Sequence, residues 1–202
     1  MESSLLLPAF YLPPISYFHI IQQSEQPLLI ERFEHYVKQT YRTRTKIATA
    51  NGILDLIVPI LHGVKEHIPM KDIRINYDFN WQRLHWLSIQ TAYRSSPYFE
   101  YYEDDFARFY EQRHDFLLDF NIEQLQLLLK CMKINRSVAF TETYISPVEP
   151  LDYREVIHPK KPSLLEHPKP YYQVFEEKHG FLPDLSVVDL LFNQGPQSKS
   201  YL

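Results

Sequence analysis

The chain has 202 residues, 45 % hydrophobic and 23 % charged, with a formal charge of −4 at pH 7. This balance fits one globular domain spanning residues 1–202 and excludes a disordered chain. It also leaves no basic footprint for duplex DNA or an acidic membrane surface.

Leu5–Leu7 reads as a short strand closed by Pro8. Pro13 and Pro14 precede a helix over Ile15–Gln23, and Leu28–Ile30 reads as a second strand. Asn51-Gly52, between Tyr41–Ala50 and Ile53–Val58, predicts a β-hairpin with a two-residue Asn-Gly turn. That register sets Ile47 opposite Leu56 and Thr45 opposite Val58, leaving Arg42, Arg44 and Lys46 on the other face. Ile73–Tyr77 alternates like a strand. Asp78 or Asn80 caps a helix over Trp81–Arg94, which Ser95-Ser96-Pro97 ends.

Further helices are predicted over Asp104–Asp115 and, capped by Asn121, over Ile122–Met132; Ser137–Thr143 reads as a strand. Residues 147–170 hold six prolines and predict a long loop rather than an inter-domain linker. Ser186–Asn193 is an apolar helix around one acid, Asp189, ended by Gly195 and Pro196, and it must dock in the core. The pattern predicts an α/β or α+β fold: a single domain with a mixed β-sheet, including the Asn-Gly hairpin, and four to five packed helices.

Several chemistries are excluded or disfavoured. The only four glycines are Gly52, Gly63, Gly180 and Gly195, so neither G-x-G-x-x-G nor G-x-x-x-x-G-K-[ST] can be formed. The histidines lack H-x-x-x-H or H-E-x-x-H spacing and no cysteine pair exists, so no metal and no cofactor is expected. No apolar run reaches the ~18 residues of a membrane span. The lone Cys131 reads as a buried thiol in a reducing, cytoplasmic compartment.

What remains is a set of candidates. His85 falls on the more apolar side of its helix, where a neutral imidazole is either a core residue with one hydrogen bond or a general base. Arg42, Arg44 and Lys46 form a solvated face or a phosphate or carboxylate site. Fifteen tyrosines and thirteen phenylalanines build a core or stack a sugar or base.

Three stretches carry a family resemblance: LLLPAFYLPPISYFHII at 5–21; YRTRTKI, LDLIVPI and NWQRLHWLSIQTAYRSSPYF through the hairpin and the following helix; and YYQVFEEKHGFLPDLSVVDLLFNQGP at 171–196. They resemble the WbqC-like protein family over most of the chain. Leu7 stands where the family usually has glutamine, and Thr43 and Thr45 replace asparagines around Arg44. The family is associated with clusters that build O-antigen and other surface polysaccharides.

The resemblance implies a group transferase acting on an activated or amino sugar, with a nucleotide-sugar or amino-sugar ligand. By matching positions it implies His85 and Asp189 as catalytic residues and Arg44, Trp81, Gln173 and Asn193 as substrate-binding residues. In that scheme Arg44 holds a phosphate or carboxylate and His85 acts as base. The alternative is a non-catalytic protein of the same pathway that binds a glycan precursor or a partner.

Overall fold

The computed structural model describes residues 4–61, 67–146 and 151–202. Three short strands, β1 (Leu5–Leu7), β2 (Leu28–Ile30) and, late in the chain, β5 (Val138–Phe140), form a parallel sheet in the order β1-β2-β5. Leu6 also makes a parallel bridge to Asp152, so β1 is flanked on both sides. The connection from β1 to β2 is α1 (Ile15–Gln23). Pro13 and Pro14 cannot extend a strand or a preceding helix, and Pro14 enters with its fixed φ of −66°.

The mixed α/β class is as expected, with six helices among the described residues. The Asn-Gly hairpin is not formed as expected. β3 (Arg44–Thr49) and β4 (Gly52–Ile57) are antiparallel, but Thr49 faces Gly52, so Ala50 and Asn51 occupy the turn. Gly52 takes the positive φ of 104° as the first residue of β4, and Thr49 Oγ1 donates to its carbonyl at 2.8 Å. The register therefore moves by two: Thr45 opposes Leu56 and Ile47 opposes Leu54. β3 begins at Arg44, so Arg42 does not share its outer face and turns inward instead.

The helices α2 (Trp81–Tyr93), α3 (Phe99–Glu111) and α4 (Leu117–Cys131) follow. Asn80 caps α2, its side chain accepting from the Arg83 amide at 3.3 Å. α3 starts at Phe99 because Phe99, Phe106 and Phe109 bury one face. α4 starts at Leu117, so Asn121 lies inside the helix rather than at its cap. Its amide donates to the carbonyls of Ala9 at 3.1 Å and Arg42 at 2.8 Å. Residues 73–77 make single bridges, Arg74 to Phe116 and Ile75 to Ile60, after a 3-10 turn at Met70–Asp72.

The described part of the proline-rich stretch, 151–170, has no helix; residues 147–150 lie outside the described residues. After the short α5 (Glu176–His179) comes α6 (Val187–Gln194). Its Val187, Val188, Leu190, Leu191 and Phe192 are fully buried. It packs on α1 and α3 and reaches α2 through Tyr93, whose ring meets Phe192 at 5.3 Å. Among the described residues no helix is long and apolar enough to cross a membrane.

Candidate functional site

The carboxyl ends of parallel strands are where open α/β sheets place ligands, because the chain splays there into loops. Here the residues leaving β2 are Glu31, Arg32, Phe33 and Glu34, and the residue leaving β5 is Thr141. Glu31 is fully buried and acts as a clamp. One carboxylate oxygen accepts from the Phe33 amide at 2.8 Å and the Thr141 hydroxyl at 2.9 Å, and the other from the Ile145 amide at 2.8 Å. Glu34 forms a two-pronged pair with Arg42, at 2.8 Å from Nε and 2.5 Å from Nη2. Arg42 is 1 % exposed, and its Nη2 also donates to the Arg154 carbonyl at 3.2 Å.

Arg154 completes the set. Its guanidinium donates to both oxygens of Asp152 at 2.9 and 2.5 Å and to the Ile145 carbonyl at 2.9 Å, and it lies 3.6 Å from Glu31. Glu34, Arg42, Asp152 and Arg154, with Glu31 buried behind them, edge a cavity of about 600 Å³ that also presents His35, Phe33 and Tyr144, a size ordinary for small-molecule sites. Burial raises the Glu34 carboxyl above its usual range, although Arg42 opposes the shift. Buried ion pairs repay their desolvation poorly compared with apolar packing. A network of this kind beside a cavity therefore points to ligand handling more than to stability.

A second cavity, of about 180 Å³, lies round the same wall, between the outer face of β3 and residues 157–164. Tyr41 and Ile157 line it, whereas the neighbouring Arg42 and Val156 line the first.

The residues singled out from sequence fall in three places. Asp189 is fully buried, and its Oδ2 accepts from the Tyr171 hydroxyl at 2.6 Å and from the Gln173 amide at 2.9 Å. Asn193 donates to the Asp189 carbonyl at 2.8 Å. Burial raises the Asp189 carboxyl to about 6 against these donors. His85 sits with Trp81, ring centroids 5.0 Å apart, and its Nδ1 meets the Tyr11 hydroxyl at 3.0 Å. Burial lowers the imidazole to about 4, partly offset by a hydrogen bond to the Ile57 backbone, so it is neutral.

His85 and Asp189 share no hydrogen-bond partner in these networks. The α2 residue beside Asp189 is Tyr93, about 12 Å along the helix from His85 at 1.5 Å per residue. Arg44 lies on β3 opposite Ile57, and its buried Nε has no acceptor among the described residues. None of the six lines either cavity.

Of the charged set only Arg42 was singled out from sequence, and there as a strand-face residue beside Arg44 and Lys46. The available signal was the pair of acids in LLIERFE, directly after a buried strand. Asp152 and Arg154 had none, since they lie in the proline-rich stretch. Cys131 is half-buried, and burial pushes its thiol up to about 11.

The WbqC-like protein family matches residues 9–157, which take in every side chain of the charged cavity. The chain belongs to this family. It is also 22 % identical over 233 aligned positions to "Uncharacterized protein Rv1507c" of Mycobacterium tuberculosis (strain ATCC 25618 / H37Rv), with 100 % of this chain and 98 % of the relative covered. No solved structure matches it. Membership in the WbqC-like family points no further than to glycan biosynthesis.

Proposed function

We propose that this protein handles a sugar during glycan biosynthesis and that the charged cavity at the ends of β1, β2 and β5 seats it. The observation that carries this reading is the alternation of carboxylates and guanidinia, Glu34 with Arg42 and Asp152 with Arg154, along one 600 Å³ cavity. A sugar hydroxyl donates one hydrogen bond and accepts others, so paired acceptors and donors satisfy it better than a site of one sign. Phe33 and Tyr144 supply ring faces for the apolar side of a pyranose.

As a transferase, the protein would use Glu34 as the base toward a sugar hydroxyl or amine, because burial raises its carboxyl and so makes the carboxylate a stronger proton acceptor. His85 would act from behind, holding the Ile57 backbone opposite Arg44, and Asp189 would hold Tyr171 and Gln173. The second reading, binding without turnover, is favoured by one observation: the guanidinia of Arg42 and Arg154 are both already engaged by carboxylates.

The deciding measurement is calorimetric titration with hexoses, amino sugars and nucleotide sugars, followed by product analysis with candidate acceptors. Arg154→Met is expected to weaken sugar binding roughly tenfold, the loss of one charge-assisted contact. Product formation selects the transferase, and binding alone selects the carrier. A sugar that binds equally well to Arg154→Met and Glu34→Gln would exclude this cavity.

A further inference from the structure

We propose that the smaller cleft, between the outer face of β3 and residues 157–164, is a phosphate-binding site for the phosphorylated end of an activated sugar. The inference rests on the sugar reading for the rest of the ligand, but the cleft has its own evidence. Residues alternate along a strand, so Thr45 and Ile47, both fully buried, put Arg44 and Lys46 on the opposite face. Lys46 lines the cleft directly, and Lys161 faces it from the covering segment with His158 and Ser163. Arg44 shares the strand face of Lys46 and acts on His158 electrostatically, and its buried Nε has no acceptor among the described residues.

The cleft holds about 180 Å³, ample room for a phosphoryl group. Its field is positive. Besides burial, four cations, Lys161, Lys160, Arg42 and Arg44, each push the His158 imidazole down. Two acids oppose an anion: Asp55, the partner of Lys46 across the hairpin, which acts on Tyr41 in the cleft, and Asp184 on the cleft wall. Asp184 Oδ1 accepts from the Ser16 amide at 2.7 Å and its Oδ2 from the Ser163 hydroxyl at 2.6 Å, so both of its oxygens are engaged by the protein. Lys46 acts on it as well. The net balance still favours an anion, and the shared wall of Tyr41–Arg42 and Val156–His158 sets this cleft beside the sugar cavity. A sugar phosphate or diphosphate spans the two.

The test titrates the full chain with inorganic phosphate and pyrophosphate at low ionic strength, by calorimetry and ³¹P NMR, with sulfate and chloride for comparison. Phosphate or pyrophosphate is expected to bind, and Lys46→Gln and Lys161→Gln each to weaken that binding roughly tenfold. Asp184→Asn, which keeps an acceptor for the Ser16 amide and offers its NH2 to the rotatable Ser163 hydroxyl, should strengthen it. That opposite sign separates electrostatics at the site from damage to the fold, and melting temperatures check the latter. No binding by wild type, or binding indifferent to both lysines and to Asp184, overturns the proposal. Arg154→Met should leave free pyrophosphate binding intact. If pyrophosphate binds here while no sugar binds at the strand ends, the cleft stands and the sugar reading falls.

Discussion

Tyr171 donates to the buried carboxylate of Asp189 at 2.6 Å, tying the segment before α5 to the first turn of α6. The contact is short, yet burial outweighs it and raises the carboxyl from 3.8 to about 6. Below pH ~4 the acid is neutral in both folded and unfolded chains. As pH rises from ~4 to ~6 the unfolded chain releases its proton first, so stability falls across that window, by about 3 kcal/mol from this group. Asp189→Asn keeps an acceptor for Tyr171 and Gln173 and should raise the melting temperature at pH 7 while changing little at pH 4. A variant less stable at pH 7 would show that the charged form is the one the fold needs.

His85 runs the other way. Burial lowers its imidazole from 6.5 to about 4, so the unfolded chain takes up a proton first as pH falls from ~6.5 to ~4. Stability drops on acidification by about 3 kcal/mol from this residue. The slopes of His85 and Asp189 overlap and largely cancel in the wild type. His85→Phe should therefore expose the Asp189 slope, with stability rising toward pH 4, and Asp189→Asn should expose the His85 slope. Identical denaturant midpoints against pH in both variants would contradict the opposed pair.

Arg42 and Glu34 form a buried pair whose two halves differ from the whole. Arg42→Met alone leaves Glu34 uncompensated and should cost about 3–5 kcal/mol in urea unfolding. Adding Glu34→Met removes the stranded charge and should recover most of that loss without restoring sugar binding. A double variant no more stable than Arg42→Met would mean that packing, rather than the stranded carboxylate, sets the cost.

Gly195 ends α6 with φ of 53°, and a Cβ there would fall 2.5 Å from the Tyr98 ring. Gly195→Ala should destabilise by about 2–4 kcal/mol, from left-handed strain and displacement of Tyr98. In a Tyr98→Ala background the steric part is gone, so the same substitution should cost only the backbone share, about 1–2 kcal/mol. Equal costs in both backgrounds would assign the whole effect to the backbone.

Local rules made α1, α2 and α6 legible: prolines before Ile15, an asparagine cap before Trp81, and a glycine after Gln194 all act within a few residues. The hairpin was legible as two strands but not in register, because Gly52 uses its positive φ on the first residue of β4 instead of inside the turn. Asn121 carried the signature of a cap and is instead held inside α4 by the distant carbonyls of Ala9 and Arg42. The charged cavity was hidden for the same reason. Glu31 meets Thr141 and Ile145, and Arg42 meets the carbonyl of Arg154, pairings that no spacing rule reaches across a hundred residues of chain. The mostly buried Arg42 looked like a surface residue of β3 because strand alternation was extended two residues too far.

Leu6 takes a hydrogen bond from Tyr153 and gives one to the Leu151 carbonyl, both at 2.9 Å. During synthesis β1 is made long before its partner on that flank, which arrives only after α4 and β5. Until then β1 is an open strand edge made of three leucines, the kind of surface that recruits another chain. Arrival of Asp152 and Arg154 closes that edge and completes the charged cavity in one event. Protection from misassembly and competence to bind are therefore reached together, when residues 151–154 dock.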